Sequence, residues 1–169
     1  MATSGSRDFT LDVSDIIEEA YERCGLEVRT GYDARTARRS MNLMFADWAN
    51  RGVNLWTVRQ ATTTLTQGQS IETLGQDVVD LLEVVIRRAG TDFNITKVSR
   101  GDYLSVPNKT TQGRPSQYYF NRQITPQITL WPTPENSTDQ LVYYYVRRIE
   151  DADASVNDVE LPFRFLPCA

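Results

Sequence analysis

Apolar residues keep a helical period up to about residue 52 and lose it afterwards. In the first stretch, Val13, Ile16, Ile17, Ala20, Tyr21 and Cys24 recur at helical spacing, with Glu18, Glu19 and Glu22 opposite them. Thr10 or Asp12 offers a cap at the start, and Gly25 a left-handed stop. A second helix has Asp33 as its expected cap. It carries Ala37, Met41, Met44, Phe45 and Trp48 as one apolar stripe, and Gly52 ends it. Arg35, Arg38, Arg39 and Asn42 lie on its other face. The linker between the helices is short and contains Gly31, which predicts antiparallel neighbours packed stripe to stripe.

From about Leu55 to Ile149, threonine, valine, isoleucine and tyrosine dominate, punctuated by glycine and proline. The pattern predicts strands near 56–65, 70–74, 82–88, 92–97, 117–123, 126–131 and 140–148. Gln67-Gly68-Gln69, Ala89-Gly90-Thr91 and Asn136 to Asp139 read as hairpin turns. Ser99 to Ser105 reads as a single helical turn, and Asn108 to Pro115 as a polar loop. The expected fold class is α+β: a helical pair with an antiparallel β-sandwich or open barrel of about seven short strands. The expected parts are 1–54 (helical), 55–150 (β) and 151–169 (a C-terminal segment). The last part is heavily apolar at Leu161, Phe163, Phe165 and Leu166. It either packs back on the β domain or begins a further helix.

Composition narrows the chemistry. The 169 residues are 40% apolar and 24% charged, enough to build a core. The formal net charge of −4 disfavours a sequence-specific DNA binder. The chain contains no histidine, the commonest general base and metal ligand. Its two cysteines form neither a C-x-x-C motif nor a disulfide framework, so neither a metal nor a cofactor is expected. Cys24, on the apolar stripe, is expected to be buried, and the thiols suggest folding in a reducing compartment. The polar N-terminus is not a secretory signal. The densest apolar run, Leu81 to Ile86, is far below the roughly 20 residues that span a bilayer, so a soluble protein is expected.

Motifs for a nucleophilic serine, a phosphate loop or a dinucleotide site are missing. Paired carboxylates would suffice for a glycosidase. Glu18, Glu19 and Glu22, however, suit a solvated helix face. Asp77, Asp80 and Glu83 suit the start of a strand, where acids face water, and Asp151 and Asp153 suit an exposed linker. Arginines cluster at Arg35, Arg38 and Arg39, at Arg87-Arg88 and at Arg147-Arg148. Such patches dock a negative surface or phosphate, or are balanced by neighbouring acids. Tyr143 and Tyr145 share one strand face and Tyr144 takes the other, so both faces need a cover or form an open aromatic platform. In Ile124 to Pro134, prolines fence a strand. That places it at or near a sheet edge, with Ile128 and Leu130 inward and Trp131 at its end, near a subunit seam or the helical pair.

Five segments together are similar to a known family. They are RRSMNLMFADWANRGVNLWTV (38–58), TLTQGQSIETLGQDVVDL (64–81), VSRGDYLSVPNKTTQGRPSQYYFNRQITPQITLWPTP (98–134), YYYVRRIEDAD (143–153) and ELPFRFLPC (160–168). In this order they resemble the head-to-tail adaptor of short-tailed bacteriophages, of the tail tubular protein A or tail accessory type. The resemblance implies a non-enzymatic virion protein made in the host cytoplasm, with a β domain inserted in a helical bundle to which the C-terminal segment returns. It implies a homo-oligomeric ring of about a dozen copies. That ring sits at the head-tail junction between the portal protein and the tail nozzle protein. It also continues the exit channel for double-stranded DNA, without sequence specificity and without membrane contact. The family's C-terminal helices follow the Pro-Phe-Arg-Phe-Leu-Pro motif and reach the portal, whereas this sequence ends at Ala169. The candidate interface residues are Arg35, Arg38, Arg39, Trp131, Tyr144, Arg147, Arg148, Phe163 and Phe165. The alternatives are a cell-wall glycan hydrolase using paired carboxylates and a β-sandwich carbohydrate or receptor-binding module.

Overall fold

A computed structural model describes residues 9–28, 30–53, 55–154, 156–162, 164 and 165. The chain divides into two compact units. One joins Met1–Trp56 to Ile149–Ala169, and the other is Thr57–Arg148. Each has its own apolar core.

The first unit contains helices α1 (Val13–Arg23) and α2 (Gly31–Asn50). Asp12 caps α1 by accepting from the Asp15 N–H at 2.9 Å. Gly25, at φ 71°, lets the chain leave the helix. Asp33 is not the cap of α2. Thr30 is, and Asp33 answers it from the third helical position in a capping box. Val13, Ile16 and Ile17 pack with Met41 and Phe45, and Ala37, Met44 and Trp48 flank them, as the helical period predicts.

Cys24, in contrast, is exposed. It ends the helix, and its N–H is used up on the last-turn carbonyls rather than its side chain on the core. The returning segment closes this core with Ile149, Ala152, Val159 and Leu161. Two polar residues of α2 hold that segment. Asn42 accepts from the Ala152 N–H at 2.7 Å and donates to the Ala152 carbonyl at 3.4 Å, and Arg38 donates to the Asp153 carbonyl.

The second unit is a sandwich, not a closed barrel. Its strands are β1 (Val58–Thr64), β2 (Ile71–Thr73), β3 (Val78–Arg88), β4 (Thr91–Asn94), β5 (Thr96–Lys97), β6 (Gln112–Gly113), β7 (Gln117–Asn121), β8 (Gln127–Trp131), β9 (Thr133–Pro134) and β10 (Gln140–Arg147). One sheet has the order β1-β10-β3-β4, and the other β2-β8-β7-β5; β6 and β9 form a parallel pair. The core between the sheets contains Leu81, Val84, Ile86, Leu141 and Tyr143 from the first, and Tyr118, Phe120, Ile128 and Leu130 from the second.

Strand β3 begins four residues before its expected start, and the reason lies in its pairing. The register with β10 slips twice, between Tyr144 and Tyr145 and between Val146 and Arg147. Each bulge leaves one residue of β3 without an opposite number: Leu82, then Val79. Both are exposed, whereas Leu81 and Val78 stay inward. The run Val78-Val-Asp-Leu-Leu82 therefore shows no alternation, and its strand character is hidden from a period-2 reading.

Of the expected turns, Ala89-Gly90 is a hairpin, with φ of 50° and 80° joining β3 to β4. Gln67-Gly68 is a turn but not a hairpin, because β1 and β2 belong to different sheets. The same holds for Asn136 to Asp139: β9 pairs with β6 and β10 with β3 and β1. The helical turn near Ser99 is α3 (Arg100–Ser105), with a Ser99–Asp102 capping box. The proline-fenced strand is β8, one strand in from the edge and flanked by β2 and β7. Ile128 and Leu130 are fully buried, as expected.

Candidate interaction surfaces

Within the β unit, the structure spreads the candidate residues rather than gathering them into one site. Trp131 and Tyr144 belong to different sheets. Both point away from the shared core, because their neighbours Leu130 and Tyr143 point into it. They lie on opposite outer faces of the sandwich and cannot form a single aromatic platform. Trp131 is half-buried, and its indole N–H donates to the Asn108 carbonyl at 3.0 Å. The loop around α3 supplies more of the cover on that face. Tyr103 stacks on Tyr119 with ring centroids 6.0 Å apart, and the Lys109 ammonium sits over the Tyr103 ring. Tyr144 is 42% exposed, between Gln60 and Glu83 on the neighbouring strands. The expected split of the three tyrosines holds: Tyr143 and Tyr145 share the inner face, 5.7 Å apart.

The arginine pairs of the β unit sit at opposite ends of one sheet. Arg147 and Arg148 are beside the start of β3, where the Arg148 N–H donates to the Asp77 carbonyl at 2.8 Å. Arg87 and Arg88 are at its far end and are balanced by acids. Arg87 pairs with exposed Asp92 at 2.6 Å. Arg88 grips both carboxylate oxygens of Asp139 at 2.6–3.1 Å and also reaches Glu135 at 2.8 Å. Asp139 is fully buried. The two acids hold the Arg88 charge more firmly than usual, first through the hydrogen bonds of Asp139. Reading the sequence missed this cluster, whose members lie 51 residues apart.

In the helical unit, Arg35 and Arg39 are exposed, and Arg38 is partly spent on the returning segment. Phe165 packs within its own unit and is partly buried. It lies against Trp56 and Trp48, with centroids 4.9 and 6.2 Å away, on the helical unit rather than on the β domain. Trp56 is itself fixed, its indole N–H donating to the Glu160 carbonyl at 3.0 Å. Phe163 lies outside the described residues.

Two carboxylates of the β unit, partly buried Asp80 and buried Glu72, have shifted proton affinity, and neither is paired with a second acid. Asp80 is bound by Arg122 at 2.7 Å and Lys97 at 3.4 Å. Burial pushes its carboxyl up, but the Arg122 and Leu81 hydrogen bonds and the two positive charges outweigh it and leave it below the usual range. A general acid needs the reverse. Glu72 does have a raised pKa, caused by burial, and one of its oxygens is buried without a partner. It stands opposite Ile128, with no second acid on that pair of strands. Among the described residues, no group of three His, Cys, Asp or Glu is placed to hold a metal, and no helix is long and apolar enough to cross a membrane.

The sequence profile described as SU10 adaptor protein matches residues 11–169, which takes in both units. The chain belongs to the SU10 adaptor protein family. It is a bacteriophage structural adaptor, in line with the resemblance drawn from its segments. No individual curated protein matches it. The adaptor's exposed side chains are then the natural place to look for contacts with other phage proteins. Besides Arg35, Arg39 and Tyr144, they include Tyr32, Leu43, Leu104, Ile124 and Val156, all at least 64% exposed and all passed over in the sequence. Tyr32, Ile124 and Val156 are lone apolar residues in polar stretches, whereas Leu43 and Leu104 have apolar neighbours in the sequence and yet stay exposed.

Proposed function

We propose that this adaptor forms a ring between the portal and the tail nozzle at the head-tail junction of a short-tailed phage, and that the ring continues the DNA exit channel. Family membership across residues 11–169 carries this reading. The physical layout agrees with it. The adaptor offers exposed contact side chains on both units, and its net negative charge of −4 suits a conduit that must let DNA slide. A ring of about a dozen copies needs two different lateral surfaces on each subunit, so that the contact repeats head to tail and closes.

The test is hydrodynamic. The purified adaptor is sized alone and after mixing with a portal ring. A ring-sized species, or stoichiometric loading onto the portal, supports the proposal. A strictly monomeric adaptor that leaves portal rings unloaded contradicts it.

A further inference from the structure

The two helices carry opposite charges on the sides turned away from their shared core. On α1, Asp15, Glu18 and Glu22 are exposed and follow one another at helix-face spacing. Glu19, beside them, is taken by Arg23 at 2.8 Å. On α2, Tyr32, Arg35, Arg39 and Leu43 line the exposed face, with Tyr32 71% and Leu43 66% exposed. None of Asp15, Glu18, Glu22, Arg35 and Arg39 forms an ion pair among the described residues. The apolar stripes of both helices enter one core, so the two charged stripes occupy opposite flanks of the helical pair.

Their spacing matches. Glu18 and Glu22 are four residues apart, as are Arg35 and Arg39, so each pair repeats at about 6 Å along its helix. On α2 an exposed leucine, Leu43, continues the basic stripe one turn past Arg39, whereas α1 ends at Arg23, just past Glu22. Docking either stripe on a copy of itself would set like charges together. Because the stripes are on opposite flanks, one copy cannot offer both to the same neighbour.

We infer that the acidic stripe of α1 in one copy docks on the basic stripe of α2 in the next. This is a heterologous contact between copies, and it rests on the ring reading above, whose lateral contact it assigns to the helical unit. Glu18 and Glu22 meet Arg35 and Arg39, and exposed Leu43 adds apolar area at the end of the basic stripe.

Two doubly substituted chains test it: Glu18→Arg with Glu22→Arg, and Arg35→Glu with Arg39→Glu. All four sites are exposed, and circular dichroism verifies that each chain is folded; the neutral pair Arg35→Gln with Arg39→Gln is the milder check. Assembly is read by native mass spectrometry, alone and on portal rings. Each charge-reversed chain alone is expected to lose at least tenfold in assembly, because its two flanks now carry the same sign. An equal mixture of the two is expected to recover assembly with alternating composition. Assembly of either reversed chain alone at the wild-type level, or a mixture that stays dissociated, overturns the inference while leaving the ring intact. Failure of the wild-type chain to associate in any condition overturns the ring reading itself.

Discussion

Asp139 is fully buried, where a carboxylate charge needs a partner, and Arg88 holds both of its oxygens. Replacing Arg88 with alanine strands that charge. The expected cost is about 3 kcal/mol of unfolding free energy, since breaking a buried pair leaves an uncompensated ion. Chemical unfolding measures it. Arg87→Ala, which breaks only the exposed pair with Asp92, should barely move the midpoint.

Glu72 works in the opposite sense, because burial raises its pKa and nothing offsets it. Below its ordinary value the carboxyl is protonated in both the folded and the unfolded chain. Above that value the unfolded chain releases a proton that the folded chain retains, so stability falls as pH rises until the raised value is passed. Glu72→Gln should therefore stabilise the β unit by roughly 1 kcal/mol near pH 7 and hardly at all near pH 4. An equal gain at both pH values would contradict a buried, unpartnered carboxyl.

The elements show how far the sequence was legible and why it stopped. Helices α1 and α2 could be read because Val13, Ile16, Ile17, Met41 and Phe45 keep a helical period and each helix has caps at its ends. Strand β8 could be read from its flanking prolines and inward Ile128 and Leu130. The first half of β3 could not. Its two bulges break the alternation, and bulges depend on the partner strand β10, some 60 residues further on. Strands β5, β6 and β9 are two residues long, too short to carry any period.

Cys24 was misread because periodicity continues a stripe past the point where the core ends. The clasp between α2 and the returning segment was invisible for another reason. Asn42 looks like an ordinary solvated residue until Ala152, 110 positions away, is brought to it. Asn42→Ala removes both bonds to Ala152. The expected result is faster amide hydrogen exchange at residues 150–153, with exchange in the β unit unchanged; equal protection in both proteins would remove the clasp from the account.

At the scale of the whole molecule, each unit spreads its candidate surfaces rather than gathering them. Trp131 and Tyr144 face opposite ways, the arginine pairs sit at opposite ends of a sheet, and the helical unit has an acidic and a basic flank. The family shows an adaptor, and exposed side chains spread over each unit are compatible with that role.

The most direct measurement is an electron-microscope image of the adaptor mixed with portal rings. The account predicts a second ring, coaxial with the portal and stacked on one end, with a continuous central channel and the adaptor copies in side-by-side contact. Bare portals beside dispersed monomers, or isolated adaptor copies bound to a portal without touching one another, would contradict it.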